Sequence, residues 1–185
     1  MKKGILIVFT FLTLCSYGQQ QTQNKQVINI DSLFKAKQIE ALGKPLSFFT
    51  TSYNNKPFTN ENLKGKTVFI NFWFAACAPC IAELDELNKL YDTLKSNEKF
   101  EFISFTPETP KVIKKIIKKY KIHYKVFSLN GVDCKRLNRN SAFPTSLIID
   151  PNGTIKLFKI GGSINKAEVK KTIFTDYYPK ILNEL

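Results

Sequence analysis

Residues 71–84, NFWFAACAPCIAEL, contain two cysteines three residues apart, at a point where the hydrophobic pattern changes. Residues 67–74 are a nearly continuous run of β-branched and aromatic side chains, which is typical of a central strand buried on both faces. From residue 79 to about residue 94 apolar side chains recur at helical spacing. The change of pattern predicts a buried strand that leads into a helix, with Cys77 and Cys80 at the turn between them.

The position of the cysteines at a predicted helix start favours redox chemistry. Helix N-termini have unpaired N–H groups and partial positive charge, and cysteines there have pKa values of roughly 3.5–7.5. Cys80 follows Cys77 by one helical turn, within reach of a disulfide. Pro79 is tolerated because first-turn N–H groups have no helical partner. Such a pair can cycle, since one cysteine attacks a partner disulfide and the other resolves the mixed disulfide.

Other interpretations of the cysteine pair stay open at this point. Together with Cys134 and the single histidine, His123, the pair could form a Cys₃His zinc site, although structural zinc sites usually contain a second close pair. The same dithiol could carry copper, an interpretation that the spacing of the pair and the intervening Ala78-Pro79 support only weakly. A purely structural disulfide would add little stability, because the entropic effect of a cross-link grows with the length of the loop that it closes.

The N-terminus predicts export from the cytoplasm. Two lysines and the apolar run 4–14 begin a predicted signal peptide, residues 1–18, with small residues before the expected cut at Gln19. The apolar run is too short to favour a membrane-spanning helix. An alternative is a lipoprotein anchored through Cys15, but the bulky Leu14 beside that cut argues against it. We therefore expect a periplasmic protein, in a compartment where disulfides persist.

Composition limits the class of function. Hydrophobic residues make up 43% of the 185-residue chain, which is enough for a core that does not depend on disulfides. The formal net charge of +13 favours acidic partners or an anionic membrane surface, so peripheral membrane association is one expectation. No motif of a nucleic-acid-binding domain accompanies this charge, and no nucleic-acid partner is predicted.

The remaining segments predict alternating strands and helices. They are a helix capped by Asp31 and ending near Leu42, strands at 46–50, 100–106 and 124–129, helices at 110–121 and 132–138, a hairpin at 146–160, and a last helix at 165–182 interrupted near Pro179. We expect an α/β fold with a central mixed β-sheet flanked by helices, parallel where helices cross over and antiparallel at the hairpin. Residues 19–42, a polar leader and an N-terminal helix, form an N-terminal extension.

Several linked motifs resemble the TlpA/ResA-like branch of the thioredoxin-like family, which carries a redoxin domain. In chain order they are Gly43-Lys44-Pro45, Asn62-Leu63-Lys64-Gly65-Lys66, Asn71-Phe72-Trp73, Cys77-Ala78-Pro79-Cys80, Glu83-Leu84, Leu87-Asn88-Lys89-Leu90, Phe143-Pro144-Thr145, Leu147-Ile148-Ile149-Asp150 and Asn152-Gly153. Their shared order is more specific than a Cys-x-x-Cys pair alone. The resemblance implies a thioredoxin-like fold for residues 43–185 and a thiol-disulfide oxidoreductase activity without a cofactor or a metal.

The resemblance also implies the catalytic roles. Cys77 would be the nucleophile and Cys80 the resolving thiol, joined as a redox disulfide in the oxidised protein. Cytosolic thioredoxins have an aspartate where this chain has Asn71, whereas this branch has a glutamate at the position of Glu83. Helical spacing puts Glu83 one turn from Cys80, where a partly buried carboxyl could take the Cys80 proton.

The Phe143-Pro144-Thr145 segment resembles the proline loop of the family. The resemblance implies that Pro144 is cis and that this loop, together with Trp73, forms the substrate groove. Ala76 departs from the family pattern, because a tryptophan usually stands just before the first cysteine. That difference affects the apolar surface beside the dithiol and therefore the choice of substrate.

The predicted function is that of an exported oxidoreductase that reduces disulfides in exported proteins such as apo-cytochrome c. An upstream dithiol would supply its electrons. An oxidase or isomerase would share the same fold and dithiol, because the reduction potential decides the direction of electron flow. A copper- or zinc-binding module of the same fold is the third hypothesis.

Overall fold

Strands and helices alternate in the computed structural model, which describes residues 29–53 and 55–185. The elements are α1 (Ile30–Ala41), β1 (Thr50–Tyr53), β2 (Lys56–Thr59), β3 (Thr67–Phe72), α2 (Ala78–Leu94), β4 (Phe100–Thr106), α3 (Pro110–Tyr120), β5 (Lys125–Ser128), α4 (Gly131–Leu137), β6 (Thr145–Ile149), β7 (Ile155–Ile160), α5 (Lys166–Lys171) and α6 (Tyr178–Leu182). A π-helical segment, Thr172–Tyr177, joins α5 to α6. The predicted signal peptide and Cys15 lie outside the described residues.

A five-stranded mixed sheet, in the order β5-β4-β3-β6-β7, forms the centre of the described chain. Strands β3, β4 and β5 run parallel to one another. Strand β6 pairs with β3 in antiparallel orientation, and β7 pairs with β6 in antiparallel orientation. The parallel part is connected through helices and the antiparallel part through a hairpin, as the sequence predicts. The expected α/β class and mixed central sheet are confirmed.

The central strand β3 separates two cores. Every residue of β3 is buried, and successive side chains point to opposite faces. Phe69 packs on the face that carries α2 and α3, which we call the α2 face. Ile70 and Phe72 pack on the opposite face, called here the α4 face, with α4 and the β1–β2 hairpin. Because β3 is covered on both faces, its end is fixed, and the turn that follows is fixed with it.

The predicted strand at residues 46–50 is wrong, because this segment makes its hydrogen bonds to other parts of the chain. The backbone N–H of Leu46 donates to the Gly153 carbonyl at 2.9 Å, and that of Phe49 donates to Asn60 Oδ1 at 2.8 Å. The Phe49 side chain is fully buried on the α4 face. Pairing begins only at Thr50, where β1 pairs with β2 in antiparallel orientation.

The first and last helices differ in detail from the prediction. Asn29, and not Asp31, caps α1, because its side-chain oxygen accepts the N–H groups of Asp31 and Ser32 at 3.0 and 3.2 Å. The last helix is interrupted by the π-helical segment, which ends before Pro179. No helix in residues 29–53 and 55–185 is long and apolar enough to cross a membrane.

Candidate active site

The cysteine pair lies where β3 passes into α2. Cys77 is the N-cap residue of α2, its sulfur accepts the Cys80 N–H at 3.3 Å, and Pro79 lies in the first turn. The two cysteines are joined by a disulfide, with their Cα atoms 5.2 Å apart. Cys77 is 6% exposed and Cys80 is 1% exposed, while Ala76 beside them is exposed. Cys77 is therefore the more exposed residue of the pair.

Hydrogen bonds from β4 and the loop after it hold the turn before Cys77. The Trp73 N–H donates to the Phe105 carbonyl at 3.2 Å, which prolongs the parallel pairing beyond β3. The Ala75 N–H donates to Glu108 Oε1 at 2.8 Å. Sequence reasoning missed Glu108, because no local pattern distinguishes this carboxylate from a solvated one in the loop before α3.

Trp73 occupies a different place from the predicted one. Its side chain is fully buried on the α2 face, and its indole N–H donates to Ser104 Oγ at 2.7 Å. Trp73 follows β3 with the same parity as Phe69, so it points into the core. The prediction that Trp73 lines the substrate groove is therefore wrong, and the residue supports the site from inside the protein.

The proline loop reaches the site from β6. The Phe143–Pro144 peptide bond is cis, as the resemblance implies, and the Pro144 carbonyl accepts the Gly161 N–H at 2.8 Å. Phe143 is half-buried and meets Phe74 edge to face, with ring centroids 5.4 Å apart. Thr145 is fully buried and donates its hydroxyl to the Ala142 carbonyl.

The accessible surface of this loop is therefore formed by the exposed Ala142 and the partly exposed Phe143, whereas Pro144 and Thr145 are buried. The Thr145 side chain was predicted to line the substrate groove, but the structure places it inside the protein. Phe74, which was not predicted as a groove residue, forms this surface together with Phe143. The pairing of these two rings depends on a turn and a loop that are distant in sequence, so no local signal reveals it.

Glu83 is buried on the α2 face close to Pro144. Its side chain belongs to α2 and is only 3% exposed, and Oε2 has no hydrogen-bond partner among the described residues. Burial raises the pKa of Glu83 to about 8, and the Asn71 side chain opposes this shift by a smaller amount. Glu83 is thus protonated at neutral pH in the oxidised protein. Burial first, and then the Glu83 charge, also raise the pKa of Tyr124 and Tyr177.

A row of polar side chains lies at the level of Asn71 in the sheet. Asn71 is the register partner of Ser104 on β4 and of Ser146 on β6, and all three are buried. The Asn71 amide donates to Ser146 Oγ at 3.2 Å, and Ser104 accepts from Trp73. The two serines were missed, because their proximity to Asn71 depends on strand register.

The pKa of Glu83 suits a proton exchange with a thiol. A free cysteine has a pKa of about 8.5, close to the value of about 8 for Glu83. General acid–base catalysis is most effective when the two pKa values are near each other and near the working pH. The assignment of Glu83 as the acid–base residue and of Cys77 as the nucleophile stays a prediction, and this geometry supports it.

The predicted ligands of a zinc site are not brought together. Cys134 is buried on the α4 face, across the sheet from Cys77 and Cys80, and burial raises its pKa to about 12. His123 lies beside Asp92, with Nδ1 3.1 Å from Oδ2. Within residues 29–53 and 55–185 no three His, Cys, Asp or Glu side chains are grouped to hold a metal ion.

Fold and site together define a thioredoxin-like protein with a redox disulfide at the start of a helix. Residues 34–158 match the model of the AhpC/TSA family. The thiol-disulfide oxidoreductase ResA of Bacillus cereus is 31% identical over 139 residues, which cover 74% of this chain and 79% of that protein. The chain therefore belongs to the AhpC/TSA family and, within it, to the ResA-like thiol-disulfide oxidoreductases.

Solved structures share the fold. A structure described as a DsbE-type thiol:disulfide interchange protein from Chlorobium tepidum superposes with a TM-score of 0.65 at 19% identity, covering 76% of this chain and 97% of that one. The thioredoxin domain of a thiol-disulfide oxidoreductase from Bacteroides vulgatus gives a TM-score of 0.60 at 24% identity, with 73% and 96% coverage. At these identities the two structures support the fold alone.

Replacing Glu83 tests whether the carboxyl is buried as an acid. The folded pKa of about 8 lies above the ordinary value of 4.5, so between these values the folded protein binds more protons than the unfolded one. The free energy of unfolding of the oxidised protein is therefore expected to fall by roughly 3–5 kcal/mol from pH 5 to pH 8. Urea unfolding at a series of pH values measures this slope, which Glu83→Gln should largely remove.

The matched control is Glu61→Gln, which removes an exposed carboxylate that pairs with Lys64. This variant should keep the parental pH dependence. A parent protein whose stability does not change between pH 5 and pH 8 would show that Glu83 does not retain its proton in the fold.

A double-mutant cycle tests the support that Trp73 gives to the site. Trp73→Phe removes the donor to Ser104 and part of a fully buried ring, so we expect a loss of roughly 2–4 kcal/mol in the free energy of unfolding. Ser104→Ala removes the acceptor, and the two changes should be coupled by roughly 0.5–3 kcal/mol. Additive losses in the double variant would mean that the hydrogen bond contributes nothing.

Proposed function

We propose that this protein is an exported reductase of protein disulfides that acts through Cys77 and Cys80. The observation that carries the proposal is the placement of the disulfide at the N-terminus of α2, with Cys77 as its more exposed residue and a buried, protonated Glu83 one turn beyond Cys80. The helix N-terminus favours a thiolate at Cys77. The carboxyl can exchange a proton with the second thiol.

The reaction proceeds by two thiol–disulfide exchanges. In the dithiol form, the Cys77 thiolate attacks one sulfur of the substrate disulfide, and the other substrate sulfur leaves as a thiolate that takes a proton from solvent. The Cys80 thiol then gives its proton to the ionised fraction of Glu83 and attacks the Cys77 sulfur. The second substrate sulfur leaves and is protonated, so two electrons pass to the substrate and the Cys77–Cys80 disulfide is formed.

The substrates in this proposal are disulfide-bonded exported proteins. The exposed Ala76 and the Phe74–Phe143 pair give a small apolar surface beside Cys77 that suits an extended peptide around a cysteine. Apo-cytochrome c is such a substrate, since the two cysteines of its Cys-x-x-Cys-His haem-attachment sequence must be reduced before they can bind haem. The predicted signal peptide supports export, and an upstream dithiol protein would reduce Cys77–Cys80 after each turnover.

Trapping the mixed disulfide tests this proposal. Cys80→Ser retains the nucleophile and lacks the resolving thiol, so it should accumulate a covalent complex with an oxidised Cys-x-x-Cys-His peptide, measured by mass spectrometry. Cys77→Ser should form no such complex. Cys134→Ser is the matched control, because its thiol is buried across the sheet, and this variant should reduce the peptide at the parental rate.

The reduction potential decides the direction of electron flow. A reductase should have a potential close to that of thioredoxin, about −270 mV, whereas oxidising members of the fold lie near −120 mV. A value at the oxidising end would overturn the proposed direction while leaving the dithiol chemistry in place. Purification with stoichiometric copper or zinc, together with failure to reduce the peptide, would instead favour the metal-binding alternative.

We also propose that the protein associates with an anionic membrane surface through α3. Six exposed lysines lie on or next to this helix, and none forms an ion pair within the described residues: Lys111, Lys114, Lys115, Lys118, Lys119 and Lys121. The apolar side of α3 packs on the α2 face through Ile113, so the lysines remain free to face a partner. Juxtamembrane lysines contribute about 1 kcal/mol each to binding of anionic lipid.

Sedimentation with lipid vesicles tests the membrane proposal. Phosphatidylglycerol vesicles should bind the protein at low salt, and phosphatidylcholine vesicles should not. Changing Lys114, Lys115 and Lys118 to Gln should weaken binding by about a hundredfold, because a loss of about 1 kcal/mol per lysine gives about 3 kcal/mol in all. As a control, Gln at three exposed lysines elsewhere should weaken it less: Lys35, Lys44 and Lys170. Equal losses in both triple variants would mean that net charge, and not α3, governs binding.

A further inference from the structure

Gly162, in the connection between β7 and α5, lies against two residues of the site. A Cβ atom built on it would lie 2.5 Å from Glu83 Oε1 and 2.8 Å from Pro144 Cγ. The neighbouring Gly161 has a φ of +85°, and a Cβ on it would make only an ordinary van der Waals contact with Phe34, whereas Gly162 has no left-handed φ. Glycine is thus required at position 162 because there is no room for a side chain, and not because of the backbone conformation.

Neither neighbour of Gly162 can easily give way. Pro144 is buried, and its carbonyl is held by the Gly161 N–H at 2.8 Å, so the proline loop and the Gly162 connection are tied together. The Glu83 carboxyl belongs to a side chain that is only 3% exposed. A methyl group at Gly162 would therefore push the carboxyl, the proline or the connection itself away from its present place.

A cavity of about 540 Å³ reaches the Glu83 carboxyl from the side of this connection. Phe34 of α1 forms part of the cavity wall. The Phe34 ring would lie 4.0 Å from a Cβ atom built on Gly161. The charged and titratable groups that face Glu83 across the cavity or from the packed elements are Asp31, Tyr124, Lys159, Glu168, Lys171, Asp176 and Tyr177. Solvent in the cavity can therefore approach a carboxyl that is otherwise enclosed.

We propose that Gly162 is a positioning residue for the acid–base step: its missing side chain lets the β7–α5 connection close on Pro144 and holds the Glu83 carboxyl between Cys80 and the cavity. This inference rests on the proposed function, because it assigns Gly162 a part in the transfer of the Cys80 proton. The proton would pass from the Cys80 thiol to Glu83 and from Glu83 to solvent in the cavity.

The test compares Gly162→Ala with Gly131→Ala. Both add one methyl group, but Gly131 lies in α4 with nothing within 4 Å of the added atom, so that variant should behave as the parent. In the reduced protein, thiolate absorbance is followed against pH, and the rate of resolution of a preformed mixed disulfide is measured by stopped flow. Gly162→Ala should shift the thiolate titration and slow resolution by about tenfold or more, equivalent to at least 1.4 kcal/mol in the barrier.

A double variant isolates the contact with Glu83. Once the carboxylate is replaced by an amide, no proton acceptor remains to be displaced, so adding Gly162→Ala to Glu83→Gln should cause no further shift of the thiolate titration. A well-folded Gly162→Ala protein with the parental titration and resolution rate would overturn the inference while disulfide reduction stands. A parent protein that cannot reduce the peptide would instead overturn the proposed function.

Misfolding of Gly162→Ala has its own control. Glu83→Asp shortens the side chain and withdraws the carboxyl from Gly162 but leaves the contact with Pro144, so Gly162→Ala/Glu83→Asp should be more stable than Gly162→Ala alone, measured by circular dichroism and thermal unfolding. If the double variant is no more stable than Gly162→Ala, the contact with Glu83 does not explain the need for glycine, and the inference is wrong.

Discussion

A carboxyl group enclosed between α2 and the sheet is the constraint on which the rest of the site depends. Burying an ionised carboxylate without an ion pair is costly, so Glu83 keeps its proton at a pH where an exposed glutamate has lost it. The polar row of Asn71, Ser104 and Ser146 lies on the same face of the sheet. Gly162 has no side chain and so leaves room for the Glu83 carboxyl beside the β7–α5 connection.

Much of the fold follows from local sequence patterns. The nearly continuous β-branched and aromatic run of β3, the helical spacing of α2 and the turn of the β6–β7 hairpin each identify an element without knowledge of its neighbours. The segment before β1 could not be assigned in this way, because Leu46 and Phe49 bond to Gly153 and Asn60. Such partners are known only once the chain has folded.

Part of the candidate site also follows from local sequence patterns, and part depends on the fold. Cys77, Cys80 and Glu83 lie within two turns of one helix, so their spacing alone brings them together. Trp73 lies on the same face as the cysteines, but its full burial depends on the elements that pack over it, which the sequence does not show. The contact of Gly162 with Glu83 was not predictable either, since the two residues belong to different elements. It is recognised only because the folded chain leaves no room for a Cβ atom at residue 162.

The buried acid also bears on the proposed direction of electron flow. Oxidising members of this fold have a strongly stabilised thiolate, which favours their reduced form. In the dithiol form of this protein, a thiolate on Cys80 and an ionised Glu83 would be like charges in one poorly solvated place, and each would raise the pKa of the other. That repulsion disfavours the state in which both groups are ionised, so loss of a proton from one group keeps the proton on the other. The enclosure of Glu83 thus serves proton exchange in both directions of electron flow, and the reduction potential decides between them.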